Sequence, residues 1–100
     1  MDNDLIVLVK KYFDKVNGNT YHSVQFEIDN KIYHSGKTYG YGRQYEQTFE
    51  SLITIARNLN VYCENNEIIH RTKGTLIGYP KYIVIDNCKA KELKQIHEYK

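Results

Sequence analysis

The stretch YGYGRQYEQTFESLITIARNL, residues 39–59, marks the point at which the pattern of the chain changes. Upstream of it, apolar and polar residues alternate as in a half-buried strand, whereas after Gly42 the apolar residues recur with the period of a helix. This pattern predicts one long helix with Gly42 as its N-cap and Asn60 as its left-handed stop. Its apolar stripe, expected to pack on a sheet, consists of Tyr45, Phe49, Leu52, Ile53, Ala56 and Leu59.

The residues upstream of this stretch predict an antiparallel meander of three strands. The segment 5–13, LIVLVKKYF, is rich in β-branched and aromatic residues, and NGN at 17–19 is typical of a hairpin with a type I′ turn. The segment 20–28 then alternates, which predicts a strand with one face toward the helix. That face carries His22, Val24, Phe26 and Ile28.

The register of the second hairpin can be predicted from the rule that one face of the sheet stays apolar. A three-residue loop over 29–31 pairs Ile28 with Ile32 and brings aliphatic side chains together. A two-residue loop pairs Ile28 with Lys31 and mixes the two faces. We therefore expect the three-residue loop.

The C-terminal half predicts fewer elements. A short strand is expected at 67–71, a loop over the glycines and proline of 72–80, and a strong strand at KYIVID, residues 81–86. A C-terminal helix capped by Asn87 should follow. Its expected inward residues are Ala90, Leu93 and one of Ile96 or His97. Together these elements predict a single α+β domain over residues 1–100.

Composition excludes several classes of function. The formal net charge of +2 is too small to indicate nucleic acid by itself, and the two cysteines and four histidines lack zinc-ligand spacing, so neither a metal nor a cofactor is expected. The acidic start MDND does not resemble a signal peptide, and no apolar run could cross a bilayer. These features predict a cytoplasmic protein without membrane contact.

No arrangement of residues predicts catalysis. In both YHS tripeptides, at 21–23 and 33–35, the histidine and serine are adjacent on a strand and point to opposite faces. His22 and His34 are instead expected to be hydrogen-bonded histidines at the edge of the core. A hydrolase of small phosphorylated molecules, built from distant segments, remains an alternative.

The glycine–tyrosine motif has three alternative explanations. A dinucleotide fingerprint is disfavoured, because Tyr45 occupies the third glycine position and no βαβ unit precedes it. The glycines could simply turn the chain, or the helix start could bind an anion with help from Arg43 and Lys37. The third alternative is a partner-binding surface rich in tyrosine and arginine, as interaction hot spots are. Its residues are Tyr21, Tyr39, Gly40, Tyr41, Gly42 and Arg43. The three-residue loop pairs Tyr21 with Tyr39 on the sheet face away from the helix, and the turn should leave Tyr41 partly exposed.

A second candidate surface is the basic loop over residues 69–82, which contains no acidic residue. Its cations could follow a nucleic-acid backbone while a tyrosine stacks on a base. The residues of this nucleic-acid alternative are Arg71, Lys73, Tyr79 and Lys81.

Three segments, NGNTYHSVQF, YGYGRQYEQT and VIDNCKAKEL, resemble a family of small uncharacterised bacteriophage and prophage proteins with GNTYHSV and YGYGxQYxxT motifs. The family has no established activity, so the resemblance implies no catalytic residue. It implies a phage or mobile-element origin and a setting in the host cytoplasm. Because short phage proteins without catalytic residues often block a host system, we expect a non-catalytic accessory protein that inhibits host antiviral defence by binding a host protein or a signal molecule. The oligomeric state stays open, with a homodimer among the alternatives.

Overall fold

The computed structural model describes residues 4–96 and confirms the predicted α+β architecture. Mostly antiparallel sheets pack against one helix, and a short helix lies near the C-terminal end of the described residues. The strands are β1 (Leu5–Asp14), β2 (Asn19–Ile28), β3 (Lys31–His34), β4 (Thr38–Tyr39), β5 (Val61–Glu64), β6 (Glu67–His70), β7 (Leu76–Gly78) and β8 (Pro80–Ile85). The helices are α1 (Tyr45–Ile55), a 3-10 turn (Arg57–Leu59) and α2 (Ala90–Leu93).

The strands form two sheets. In the five-stranded sheet the order is β3-β2-β1-β8, β4 also pairs with β2, and β8 runs parallel to β1. The second sheet, β5-β6-β7, is antiparallel. It was only partly predicted, since we expected one strand at 67–71 and a loop over 72–80.

The core lies between the five-stranded sheet and α1, as the helical stripe predicted. Phe49 and Ile53 of α1 are fully buried, and the Phe49 ring meets Phe26 of β2 edge-on at a centroid distance of 5.3 Å. The second sheet closes the other side of this core through Cys63 and Ile68.

The predicted helix is too long at both ends. The helix begins after Gln44 rather than after Gly42, because a turn joins Gln44 N–H to the carbonyl of Tyr41 at 3.3 Å. It ends at Ile55, and the 3-10 turn carries the apolar stripe onward. Periodicity over so few residues does not distinguish a 3-10 turn from an α-turn. Asn60 has the predicted left-handed conformation, with φ 55°, but it follows the 3-10 turn and does not end the helix, whose C-cap is Ala56.

The predicted register of the second hairpin is wrong. Asp29 and Asn30 both have positive φ, 54° and 63°, so they form a two-residue type I′ turn and Ile28 pairs with Lys31. A tight turn whose residues tolerate positive φ fixes the register locally, and here it overrides the rule of one apolar face.

An aromatic pair compensates for the mixed faces. In the observed register Phe26 lies opposite Tyr33, and the two rings stack with centroids 5.1 Å apart. Ile32, which the prediction placed on the apolar face, is instead 40% exposed. The aromatic contact therefore replaces the aliphatic contact that the predicted register offered.

The first hairpin is confirmed, but its turn type is wrong. Asp14 pairs with Asn19, which leaves a four-residue loop, and Gly18 N–H donates to the carbonyl of Asp14 at 2.8 Å. The Asp14 carboxylate accepts from the backbone N–H groups of Val16 and Asn17. The aspartate therefore organises the loop, and only Gly18 needs positive φ there.

The second face of the five-stranded sheet buries polar side chains near its centre. Lys10, Ser23 and Gln25 are all buried. The Lys10 ammonium donates to the carbonyls of Glu92 and Gln95 at 3.1 and 3.2 Å, and so binds the C-terminal end of α2.

The predicted cap of the C-terminal helix is wrong as well. α2 begins after Lys89, not at Asn87, which has φ 61° and turns the chain before the helix. Leu93 is buried as expected, but Ile96 is 52% exposed, and His97 lies outside the described residues. Within residues 4–96, no helix is long and apolar enough to span a membrane.

Candidate binding surface

Three tyrosines on neighbouring strands form a row that we call the tyrosine ladder: Tyr12, Tyr21 and Tyr39. Tyr21 pairs with Tyr39 as predicted, and their rings meet edge-on at 5.7 Å. Tyr12, which the sequence did not indicate, stacks on Tyr21 with centroids 6.3 Å apart. The ladder lies on the sheet face opposite α1, because Tyr21 alternates with His22 and Val24, which face the helix.

The Tyr21–Tyr39 pairing is correct even though the register predicted for β3 was wrong. Gln25 pairs with His34 in β3, whereas Tyr21 pairs with Tyr39 in β4, so the register moves by one residue between the two strands. This irregularity restores the pairing that the three-residue loop would have given.

A lysine covers the face of the ladder. The Lys37 ammonium lies 4.3 Å from the ring centroid of Tyr21 and 5.6 Å from that of Tyr12. A cation over a tyrosine ring is attracted by the negative face of the π-system. The contact holds Lys37 beside the tyrosines and gives this surface a positive charge.

The tyrosine corner, residues 39–43, leads from β4 to α1 and is fixed at Gly40. Gly40 is buried with φ 152°, and its N–H donates to the carbonyl of Thr20 at 3.0 Å. Its own carbonyl accepts from Nδ1 of His22 at 3.2 Å, and His22 Nε2 lies 2.6 Å from the Thr48 hydroxyl of α1. His22 thus connects β2, the corner and the helix.

The hydrogen bonds of His22 define its protonation. A carbonyl only accepts, so Nδ1 carries the proton toward Gly40, and in the neutral ring Nε2 accepts from the Thr48 hydroxyl. Burial lowers the pKa of His22, the bond to Gly40 opposes that shift, and Lys11 adds to it. His22 is therefore a structural, hydrogen-bonded histidine, as expected.

The second glycine is held from β1. The Lys11 ammonium donates to the carbonyl of Gly42 at 2.8 Å and lies 5.3 Å from the ring centroid of Tyr45. Gly42 itself has φ 63° and is exposed. Lys11 could not be identified from the sequence, because its bond to Gly42 depends on how β1 lies beside the start of the helix.

The outer side chains of the corner are exposed. Tyr39 is 61% and Tyr41 68% accessible, and the side chain of Arg43 is 78% accessible. Arg43 Nε donates to the carboxylate of Glu46 at 2.5 Å, and this bond raises the pKa of Arg43. The backbone of the corner is thus fixed, and it presents two large aromatic side chains and one guanidinium to solvent.

The helix start offers little to an anion. The N–H groups of Gln44, Glu46 and Gln47 donate to carbonyls of the preceding turn. The Arg43 guanidinium already pairs with Glu46, an acid in the first turn. These three N–H groups and the Arg43 guanidinium already have partners, and Lys37, the other cation of this alternative, lies over the tyrosine rings, so the helix start offers an anion less than the sequence indicated.

A groove of about 440 Å³ runs between α1 and the corner. Hydroxyl and amide side chains line most of it, among them Thr38, Gln44, Thr48 and Ser51, together with Tyr39. No carboxylate, histidine or cysteine lines it, so the potential nucleophiles in the groove are hydroxyl groups, and no carboxylate there could act as an acid or base.

The cysteines are poorly suited to chemistry. Cys63 and Cys88 are free thiols and both are buried. Burial raises the pKa of the Cys63 thiol to about 12 and also raises that of Cys88. Since only the thiolate is strongly nucleophilic, both behave as packing residues. Within residues 4–96, no group of three or more potential ligands could hold a metal ion.

The structure distributes the residues of the basic loop over different elements. Arg71 Nη2 donates to the carbonyls of Thr54 and Val61, each at 3.1 Å, so this guanidinium joins β6 to α1 and β5. Lys73 lies in the turn before β7, whereas Lys81 lies on β8. Tyr79 is 43% exposed, but its N–H donates to the carboxylate of Asp4, which adds an acid beside it.

Comparisons of this chain with protein-family models, curated proteins and solved structures gave no match. The candidate surface is therefore assigned from its own geometry, and the resemblance to bacteriophage proteins stays an expectation.

Proposed function

We propose that this chain is a non-catalytic binding protein that binds a partner protein through the tyrosine corner. The observation that carries the proposal is the exposure of Tyr39 and Tyr41, at 61% and 68%. The backbone that presents them is held by contacts with His22, Lys11 and Tyr21. Large aromatic side chains with a nearby arginine are enriched at the energetic centres of protein interfaces.

The rigidity of the corner supports binding. His22 fixes Gly40, Lys11 fixes Gly42, and the ladder ring of Tyr21 contacts Tyr39. A side chain presented on a fixed backbone loses less conformational entropy when it binds. This is the preorganisation that a small protein with a modest interface needs for useful affinity.

The chemistry of the groove supports a non-catalytic role. Its hydroxyl and amide groups can donate and accept hydrogen bonds, but none of them is an acid or base poised near neutral pH. The buried histidine beside it, His22, has both ring nitrogens engaged. The described residues are therefore better suited to recognition than to turnover.

The resemblance to phage proteins is the basis for proposing where this chain acts. We place the chain in the host cytoplasm, where it binds a host protein and so inhibits a defence system. We prefer a protein partner to nucleic acid because Arg71, a cation of the alternative basic loop, already donates hydrogen bonds to the carbonyls of Thr54 and Val61.

The proposal is tested by capture from a bacterial host lysate. The wild-type chain should retain a protein that Tyr41→Ala and Arg43→Ala do not retain. Val16→Ala is the matched control, since Val16 is 92% exposed on the β1–β2 loop, outside the corner. Retention at high salt indicates a protein interface, whereas loss of bound nucleic acid at high salt would favour the alternative loop. Equal retention by all four chains would refute the proposed surface.

A further inference from the structure

β8 ends the five-stranded sheet with an unusually apolar edge. Within residues 4–96 it pairs only with β1, and its residues Ile83, Val84 and Ile85 are 47%, 37% and 38% exposed. Ile6, beside it on β1, is 49% exposed. Soluble proteins usually protect such edges with charges, bulges or covering segments, because an open apolar edge pairs with other strands.

The groups that face outward from this edge can be identified. Leu5 pairs with Pro80, and Leu5 N–H donates to the carbonyl of Tyr79 at 3.0 Å. In a parallel ladder alternate residues direct their N–H and C=O groups to the same neighbour. The odd-numbered residues of β8 therefore face β1, and the N–H and C=O groups of Tyr82 and Val84 face outward.

We propose that a second copy of this chain pairs with β8, so that two five-stranded sheets join into one across a two-fold axis. The two β8 strands run antiparallel with Val84 of each copy opposite Val84 of the other. Ile83 then lies opposite Ile85 of the other copy, twice. Each copy contributes the outward backbone groups of Tyr82 and Val84 to the new ladder.

The register follows from which side chains share a face. A two-fold axis perpendicular to the sheet requires that directly opposed residues point to the same side, as Ile83 and Ile85 do. The alternative that centres on Ile83 sets Lys81 against Ile85 and mixes charge with apolar surface. No turn connects the two strands, so the apolar face decides the register here, unlike in the second hairpin.

Charge favours a second copy over an unrelated strand. The apolar residues of β8 lie between Lys81 at one end and Asp86 just beyond the other. In the register centred on Val84, Lys81 of each copy lies opposite Asn87 of the other, one residue from Asp86. Each basic end therefore comes near an acidic end, although the two charged side chains point to opposite faces of the sheet. The edge is therefore complementary to itself.

The other edge of the sheet lacks these features. β3 is only four residues long and begins with Lys31, which suits a protected edge. β8 and the tyrosine corner also lie on different sides of β1, because β4 pairs with β2. A dimer through β8 thus leaves both corners open and goes beyond the proposed binding function.

The test is the molar mass in solution, measured by light scattering after size exclusion at about 100 µM, where even a micromolar dimer is populated. The wild-type chain should have twice the monomer mass of 11.8 kDa. Val84→Pro should be monomeric, since it removes an outward N–H while the bonds to β1 remain. Ile85→Lys should raise the dissociation constant of the dimer by about tenfold or more, because the two-fold axis repeats the Ile83–Ile85 contact and both copies of it are lost. A dilution series of the same light-scattering measurement gives this constant.

Ile32→Lys is the matched control. Ile32 is 40% exposed on the β3 edge, against 38% for Ile85, so the same substitution is made at equal exposure. This variant should remain dimeric, and circular dichroism should show all three variants folded. If Val84→Pro unfolds, Ile85→Lys alone decides. A wild-type chain that is monomeric at about 100 µM, an Ile85→Lys variant with the dissociation constant of the wild-type chain, or an Ile32→Lys variant weakened as much as Ile85→Lys would each overturn the proposal.

Discussion

Replacing Gly40 with alanine should destabilise the fold more than the same change at Gly42, although both glycines belong to one short motif. Gly40 has φ 152°, a backbone conformation that side-chain-bearing residues rarely adopt. A Cβ at this position would also lie 3.1 Å from Cε1 of His22 and would clash with the end of the Gln44 side chain. The end of the Gln44 side chain can rotate away, whereas its Cβ, 3.2 Å from the added atom, cannot, and His22 is held by two hydrogen bonds.

Two contributions set the magnitude. Holding a residue with a side chain in a sparsely populated conformation costs about 1–3 kcal/mol. Moving His22 by the few tenths of an ångström that the Cβ requires strains its bonds to Gly40 and Thr48, and a hydrogen bond contributes about 1 kcal/mol net. We therefore expect Gly40→Ala to lower the free energy of unfolding by about 2–4 kcal/mol.

Gly42→Ala provides the control. Gly42 has φ 63°, within the left-handed region, and a Cβ there would meet no atom within 4 Å. Its cost should be the backbone term alone, about 1–2 kcal/mol. The difference between the two variants isolates the contact with His22 and the more extreme backbone conformation of Gly40.

Urea denaturation of the wild-type chain and both variants, fitted with a common m-value, measures the three free energies of unfolding. The expected order of stability is wild type, then Gly42→Ala, then Gly40→Ala. A Gly40→Ala variant as stable as Gly42→Ala would refute the reasoning, because His22 would then not hold the corner.

The remaining predictions concern the core and pH. Phe49→Ala should lower the free energy of unfolding by about 3–5 kcal/mol, because the ring is fully buried, and an unchanged denaturation midpoint would contradict the packing of α1. Burial lowers the pKa of His22 and of His34 below the usual 6.5, so below that pH the unfolded chain binds more protons than the fold. Stability should be fully present above pH 6.5 and fall as the solution becomes more acidic. Urea midpoints between pH 7.5 and about 5 measure this fall, which should be shallower in His22→Gln, and an equal slope in both chains would contradict it.

The elements that depend on local periodicity could be predicted from the sequence. The alternation in β2, the stripe of α1 and the apolar β8 each identify a strand or helix without tertiary information. The turns were harder. Asp29–Asn30 and Asn65–Asn66 are both two-residue turns with positive φ, although neither contains glycine. An Asn pair between two apolar segments was the available signal for the β5–β6 hairpin.

The candidate surface was only partly predictable. Strand alternation placed Tyr21 beside Tyr39, and the turn after it was expected to leave Tyr41 partly exposed; the structure confirms both. Tyr12 and Lys37 joined the ladder because of the pairing of β1 with β2 and the irregularity between β3 and β4. Contacts of this kind depend on register, which residue types alone do not determine.

The measurement that tests the central claim most directly compares folding and partner capture in a Tyr41→Ala, Arg43→Ala double variant. Both side chains are largely exposed, so the free energy of unfolding should change by less than about 1 kcal/mol. Affinity for the captured host protein should fall by at least about 2 kcal/mol, roughly thirtyfold, as for the loss of hot-spot residues. A double variant that melts like the wild-type chain and still captures the partner with unchanged affinity would contradict a binding role for the tyrosine corner.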